Sequence, residues 1–246
     1  ARAMFENWKG EELVRPIAAP HGTTTCDETL LRAASELAAE KNAVFTLHAS
    51  EMDYEMKAFA ERGETPTSYL KKIGALNPRL LAAHCIHLSD ADIELMKEGG
   101  AAVAHCIGSN TKAAKGVAPI AALAKAGVRY GLGTDGPSSG NTLSMFDQMR
   151  LFAVCHKTAN HDRGIFPARD IVRAATRGGA EALGAGDEFG QIRPGMRADM
   201  VLVSVDAPHM FPVYNPYSAL VYGANSSDVR YVMAGGQMRV RDGVLT

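Results

Sequence analysis

Val44-Phe45-Thr46-Leu47-His48-Ala49-Ser50-Glu51 is a short apolar run that ends in a histidine, with a carboxylate three residues later. Apolar residues bounded by polar ones predict a buried strand, so His48 falls where that strand opens into a loop. The carboxyl ends of strands are where barrel enzymes carry their chemistry. An imidazole there can bind a metal, and Glu51 is placed to handle protons beside it. A lone histidine at a strand end is more often a structural residue. Here the arrangement recurs: Arg79-Leu80-Leu81-Ala82-Ala83-His84 and Ala101-Ala102-Val103-Ala104-His105 also end in histidine. Val128-Arg129-Tyr130-Gly131-Leu132-Gly133-Thr134-Asp135 ends in an aspartate, and Arg15-Pro16-Ile17-Ala18-Ala19-Pro20-His21 fits the same pattern. One shared site at the ends of successive strands accounts for this more simply than independent core histidines do.

The surrounding pattern supplies elements to hold such a site. A helix over 1–9, with Met4, Phe5 and Trp8 at helical spacing, stops at Gly10, and a strand over 15–20 follows. Asp27 caps a helix over 28–41 whose apolar face carries Leu30, Leu31, Ala34, Leu37 and Ala38. The series continues as strand 43–48, helices 52–62 and 66–73, strand 79–84, helix 90–98, strand 101–105, helix 117–126 and strand 128–134. Helices are expected over 141–157 and 167–183. Beyond Gly190 the pattern changes to short alternating strands, at 200–205, 229–233 and 238–240. Strands alternating with helices predict parallel units with helices outside a sheet. The expected product is an α/β barrel wall over 1–185 and a small β appendage over 186–246.

Composition excludes several classes. The 26 basic and 27 acidic residues give a net charge of −1, which removes any general electrostatic case for nucleic acid or an anionic membrane. No apolar stretch approaches the ~20 residues of a membrane helix. Cys26, Cys85, Cys106 and Cys155 form no close pair in sequence and suit a reducing compartment, with cytoplasm the expected location.

Pro20-His21, His48-Ala49-Ser50-Glu51, Ala83-His84-Cys85, Ser109-Asn110 and Gly133-Thr134-Asp135-Gly136 stand in the order and spacing of the amidohydrolase superfamily. The tail Gly190-Gln191-Ile192-Arg193-Pro194-Gly195-Met196-Arg197-Ala198-Asp199, with 229–236, resembles its closing β segment. The subgroup it resembles most is the methylthioadenosine/S-adenosylhomocysteine deaminases, with the triazine chlorohydrolases as relatives. This resemblance implies a TIM-like (β/α)8 barrel, of which the chain holds the later strands, about 4 to 8, plus part of a β-sandwich appendage. It implies one zinc, or sometimes iron, with His48 on the fifth strand and Asp135 on the eighth as metal ligands. His84 would hydrogen-bond the attacking water or the departing group, Glu51 would act as acid/base on the ring nitrogen, and His21 would contact substrate. Asp135 would also accept the proton lost by the metal-activated water as ammonia is released.

Two departures matter. The His-x-His pair that gives the family its first two metal ligands is missing, so the resemblance implies the C-terminal portion of a longer enzyme that needs an N-terminal segment to complete its site. After His21, Gly22-Thr23-Thr24 replaces the small residue, proline and aromatic that usually follow the family's fourth-strand histidine, which leaves substrate preference open. An adenosine-like nucleoside leads; guanine, a pterin or a triazine comes next, and a non-catalytic truncated barrel is the rival from another class. A homodimer follows from family analogy.

Other residues have plainer roles. His21 can cap its own loop instead of contacting substrate, His87 suits a loop or pocket lining, and His105 suits the core. Surface positions are expected for His156, His161 and His209. Gly136-Pro137-Ser138-Ser139-Gly140-Asn141 lacks the lysine of a phosphate loop and fits a strand-to-helix turn, and neither Ser138 nor Ser139 lies in a nucleophile elbow. Met145, Phe146, Met149 and Phe152 are expected to pack in the core.

Overall fold

The computed structural model describes residues 1–246. By packing, the chain divides into two units. The first comprises Ala1–His105, Ala113–Tyr130 and Ala182–Gly184, and the second Cys106–Lys112, Gly131–Glu181 and Ala185–Thr246.

In the first unit, α1 (Arg2–Asn7) and α2 (Glu28–Glu40) precede β1 (Phe45–Ala49); α3 (Asp53–Ala60) and α4 (Pro66–Lys72) lead to β2 (Leu80–His84), and α5 (Asp90–Gly99) to β3 (Ala102–His105). α6 (Ile107–Lys112) belongs to the second unit; α7 (Ile120–Ala126) leads into β4 (Arg129–Leu132), whose first two residues fall in the first unit, and the strands lie in the order β1-β2-β3-β4. The pairs β1-β2 and β2-β3 are parallel, as strand-helix-strand connections require.

Local chemistry starts and stops these helices where the sequence indicates. The Asp27 carboxylate accepts from the Leu30 amide at 2.8 Å, while Thr65 and Ser89 each form a reciprocal capping box. Gly100 (φ 65°) and Gly127 (φ 84°) end α5 and α7 in the left-handed region, where glycine carries no Cβ penalty. Phe45, Leu47, Leu80, Phe59, Leu70 and Leu123 are fully buried, each contributing roughly 1.5–3 kcal/mol by leaving water.

The expected strand over 15–20 is reduced to isolated parallel bridges, Ala18 to Phe45 and Gly22 to His48. Pro16 and Pro20 lack the amide hydrogens a continuous ladder needs. The residues from Ala18 to Gly22 thus run beside β1 and deliver His21 to its carboxyl end.

In the second unit, α8 (Pro137–Gly140), α9 (Met145–Ala159), α10 (Ala168–Arg173), α11 (Gly179–Ala182) and α12 (Pro216–Ser218) accompany an antiparallel sheet. That sheet has the order β5 (Met200–Val203), β6 (Val229–Ala234), β7 (Gln237–Arg241) and β8 (Val244–Leu245). The helix expected from 141 begins later: Asn141 is left-handed (φ 59°), and the Ser144 side chain caps α9. The helix expected over 167–183 is interrupted by a π turn at Ala174–Gly178. There the Gly131 backbone of β4 approaches so closely that a Cβ on Gly131 would lie 2.6 Å from Gly179 Cα. None of the four cysteines is in a disulfide, and no helix is long and apolar enough to cross a membrane.

Candidate active site

His48 is the fourth residue of β1, with its backbone paired to Ala83 of β2, so the next pair is Ala49 with His84. Side chains alternate across a strand, and the register alone would send His48 and His84 to opposite faces of the sheet. His84 has φ 70° and Cys85 φ 52°, so the strand leaves extended geometry at its last residue. The two imidazoles end stacked, with centroids 5.2 Å apart and planes 19° from parallel. His21 approaches from the other side, its ring 4.8 Å from that of His48.

The left-handed backbones at Ser50, His84, Cys85 and Asp135 all lie at or just beyond the carboxyl ends of strands. A non-glycine residue there carries strain of about 1 kcal/mol or more, and such strain concentrates at functional sites.

Glu51 extends from the loop after β1, with Oε1 3.6 Å from His84 Nε2. Oε1 also accepts from Lys115 Nζ at 2.5 Å, a pairing that no local sequence pattern reveals. The Glu51 backbone is held by another residue the sequence reading missed. Glu55 of α3 is buried, and its Oε2 accepts from the Glu51 amide at 2.8 Å. Its Oε1 accepts from the Ser50 amide at 3.1 Å and from the Thr23 hydroxyl. One carboxylate therefore ties the loop after His21 to the loop that presents Glu51. Its spacing, four residues after Glu51 and on the first turn of α3, was the available signal.

The His48 ring is oriented for a ligand role. Its Nδ1 hydrogen-bonds the His21 carbonyl, which fixes the tautomer and leaves Nε2 as the lone-pair nitrogen. His21 Nδ1 lies 2.6 Å from Thr25 Oγ1 within its own loop, so the loop-capping contact is present. Asp135 belongs to the second unit, where its Oδ1 accepts from the Gly136 amide at 2.6 Å. His21, His48, Glu51 and His84 are thus brought together in the first unit, and Asp135 is described with the second. Nowhere in the chain is a group of three or more His, Cys, Asp or Glu side chains arranged to hold a metal ion. The donor chemistry at His48 fits one ligand position, and these side chains do not assemble a complete ligand set.

One expectation for the other histidines is corrected. His156 is buried rather than exposed: its ring packs 4.4 Å from Phe152 and 5.1 Å from Phe166. His209 is exposed as expected, and its ring lies 2.9 Å from the Asp228 carboxylate. His105 is fully buried, and His87 lines a cavity with Glu51.

The model of the amidohydrolase family matches residues 1–239. This chain belongs to the amidohydrolase family. It is 40% identical over 241 residues to a 5-methylthioadenosine/S-adenosylhomocysteine deaminase of Syntrophobacter fumaroxidans, covering 98% of this chain and 55% of the relative. An adenosine deaminase from Xanthomonas campestris with bound zinc superposes with a TM-score of 0.95 at 34% identity, over 100% of this chain and 56% of that one. An atrazine chlorohydrolase from Arthrobacter aurescens TC1 complexed with zinc superposes at 0.91 with 27% identity, over 100% and 55%. The chain spans just over half the length of these amidohydrolases, and its α/β fold is theirs over that span.

Proposed function

We propose that this chain is the C-terminal portion of a metal-dependent aminohydrolase that removes the exocyclic amino group of an adenosine-like nucleoside, of the methylthioadenosine or S-adenosylhomocysteine type. Residues 1–185 would form the later strands of the barrel and 186–246 its closing β segment. The observation that carries the reading is the convergence of His21, His48, Glu51 and His84 at adjoining strand ends, with Glu51 3.6 Å from His84. Likeness to a zinc-bound adenosine deaminase supports both the metal and the substrate class.

In this reading His48, through Nε2, and Asp135 hold a zinc ion together with ligands from the rest of the protein. Bound zinc would supply Lewis acidity and lower the pKa of water to about 7. Glu51 passes to the ring nitrogen a proton taken from the attacking water, which makes the amino-bearing carbon electrophilic. His84 hydrogen-bonds the incoming oxygen or the departing amine, and His21 contacts the substrate beside His48. A positioned acid/base contributes about 10²–10⁴-fold, so Glu51→Gln is expected to lower kcat by at least about 10²-fold.

The test is ammonia release by the natural full-length protein on adenosine, methylthioadenosine, S-adenosylhomocysteine, guanine and a pterin, with zinc content measured in parallel. Turnover of a nucleoside, together with loss of zinc in His48→Ala, is the expected result. The likeness to an atrazine chlorohydrolase favours a second reading, hydrolysis of a triazine, which chloride release from a chlorotriazine would reveal. Release of neither product leaves the non-catalytic barrel.

A further inference from the structure

Lys115 lies in the connection between α6 and α7, and its contact with Glu51 spans 64 positions of the chain. Both side chains are largely shielded, with 22% and 15% of their surfaces exposed. An ammonium and a carboxylate at 2.5 Å form a charge-assisted hydrogen bond, roughly twice as strong as a neutral one. The connection is itself fixed close to the site. Ala114 (φ 54°) and Gly116 (φ 126°) bend the backbone on either side of Lys115. A Cβ on Gly116 would come within 2.9 Å of Ile86 Cγ2, two residues beyond His84. The same short stretch therefore packs against the loop that follows His84 and bonds the carboxylate that faces it.

The bond is one-pronged. Lys115 takes Oε1, the oxygen that also faces His84. A lysine ammonium is a point charge, whereas an arginine guanidinium spans both oxygens of a carboxylate. Beside the pair is a cavity of about 380 Å³ lined by Glu51, Asp53, Lys57, His87 and Lys115.

We propose that Lys115 is a positioning residue for Glu51: by holding Oε1 it fixes the carboxylate against His84 and leaves Oε2 as the oxygen that exchanges a proton with the substrate's ring nitrogen. This rests on the acid/base role proposed for Glu51. A glutamate side chain with one oxygen fixed has lost most of its rotamer freedom before substrate arrives, and such alignment is where catalytic rate is gained.

The experiment compares Lys115→Met and Lys115→Arg with the natural full-length protein. In Lys115→Met the side chain keeps its apolar stem and loses the ammonium. Its kcat is expected to fall about tenfold with KM changed less than about twofold, because alignment and not uniform binding is lost. Lys115→Arg keeps the charge, yet its fork competes for Oε2, so its kcat is also expected to fall. A kcat in Lys115→Met within about twofold of the natural protein overturns the proposal. So does full activity in Lys115→Arg, which would show that charge alone suffices.

A second arm needs no turnover. Acetylation of Lys115, followed by peptide mass mapping, is expected to run at least about fivefold faster in Glu51→Gln, where the charge-assisted bond is lost. Equal rates in the two proteins overturn the pairing whatever the kinetics. A natural protein that releases no ammonia ends the aminohydrolase reading, while the acetylation rates still decide the pair. An active one with an unaffected Lys115→Met ends the positioning role alone.

Discussion

Glu55 carries a buried carboxylate into a ring of donors: the Ser50 amide, the Glu51 amide and the Thr23 hydroxyl. A charge out of water is tolerable only with such compensation. The nearly isosteric Glu55→Gln replaces one acceptor oxygen with an amide NH₂. If the remaining oxygen keeps Ser50 and Thr23, the new NH₂ faces the Glu51 amide, donor against donor. A buried donor left unpaired costs roughly 1–3 kcal/mol, so Glu55→Gln is expected to lower the free energy of unfolding by that amount. Urea denaturation at neutral pH measures it. An unchanged midpoint would show that the three bonds add nothing to stability. Since the Glu51 backbone moves with this contact, the same substitution is expected to reduce any turnover.

Among the elements, α9 shows how far periodicity can be read. Met149, Phe152 and His156 fall three and four residues apart on one helical face, and all three are buried. The apolar pair was legible as core. His156 was assigned to the surface because the sequence showed no carboxylate partner for it, although its spacing placed it with them. Burial lowers its pKa from the ordinary 6.5 to about 4. The unfolded chain therefore takes up a proton near pH 6.5, and the folded chain only near pH 4. Between those values the unfolded state binds more protons, so stability falls as pH drops from about 6.5 to about 4 and is level on either side. The whole interval amounts to roughly 3 kcal/mol. His156→Leu, which cannot titrate, is expected to lose this part of the slope when urea midpoints are compared at pH 7 and 4.5. A slope as steep as that of the natural chain would mean other groups set it.

The strand ends were legible for a related reason: a short apolar run and a terminal histidine are local signals. Glu51 with Lys115, and the left-handed turn that stacks His84 on His48, were not, because each depends on the path of a loop. The π turn at Ala174–Gly178 was hidden as well. It adds a residue to a helical turn without altering composition.

For the chain as a whole, charge and exposed apolar surface act together. Both edge strands of the second sheet, β5 and β8, present apolar side chains to solvent: Leu202 is 56% exposed and Leu245 81%, with Val201 and Val244 beside them. Edge strands offer unpaired backbone groups to any second strand, and apolar side chains there add a hydrophobic gain on contact. A net charge of −1 supplies almost no electrostatic repulsion to oppose it. Residues 1–246 are therefore expected to associate in solution, most strongly near the isoelectric point of about 6.8, and to bind a hydrophobic dye in proportion to the exposed face. The double substitution Leu202→Lys and Leu245→Lys places a cation on each edge, removes the apolar contact and raises the net charge from −1 to about +1. It is expected to lower both light scattering and dye fluorescence. Because charge also changes, Leu202→Thr with Leu245→Thr serves as the neutral comparison. If the threonine pair scatters less than the natural chain at pH 6.8, the apolar side chains drive association; if only the lysine pair does, the cations placed on the edges, and not the loss of apolar contact, prevent it.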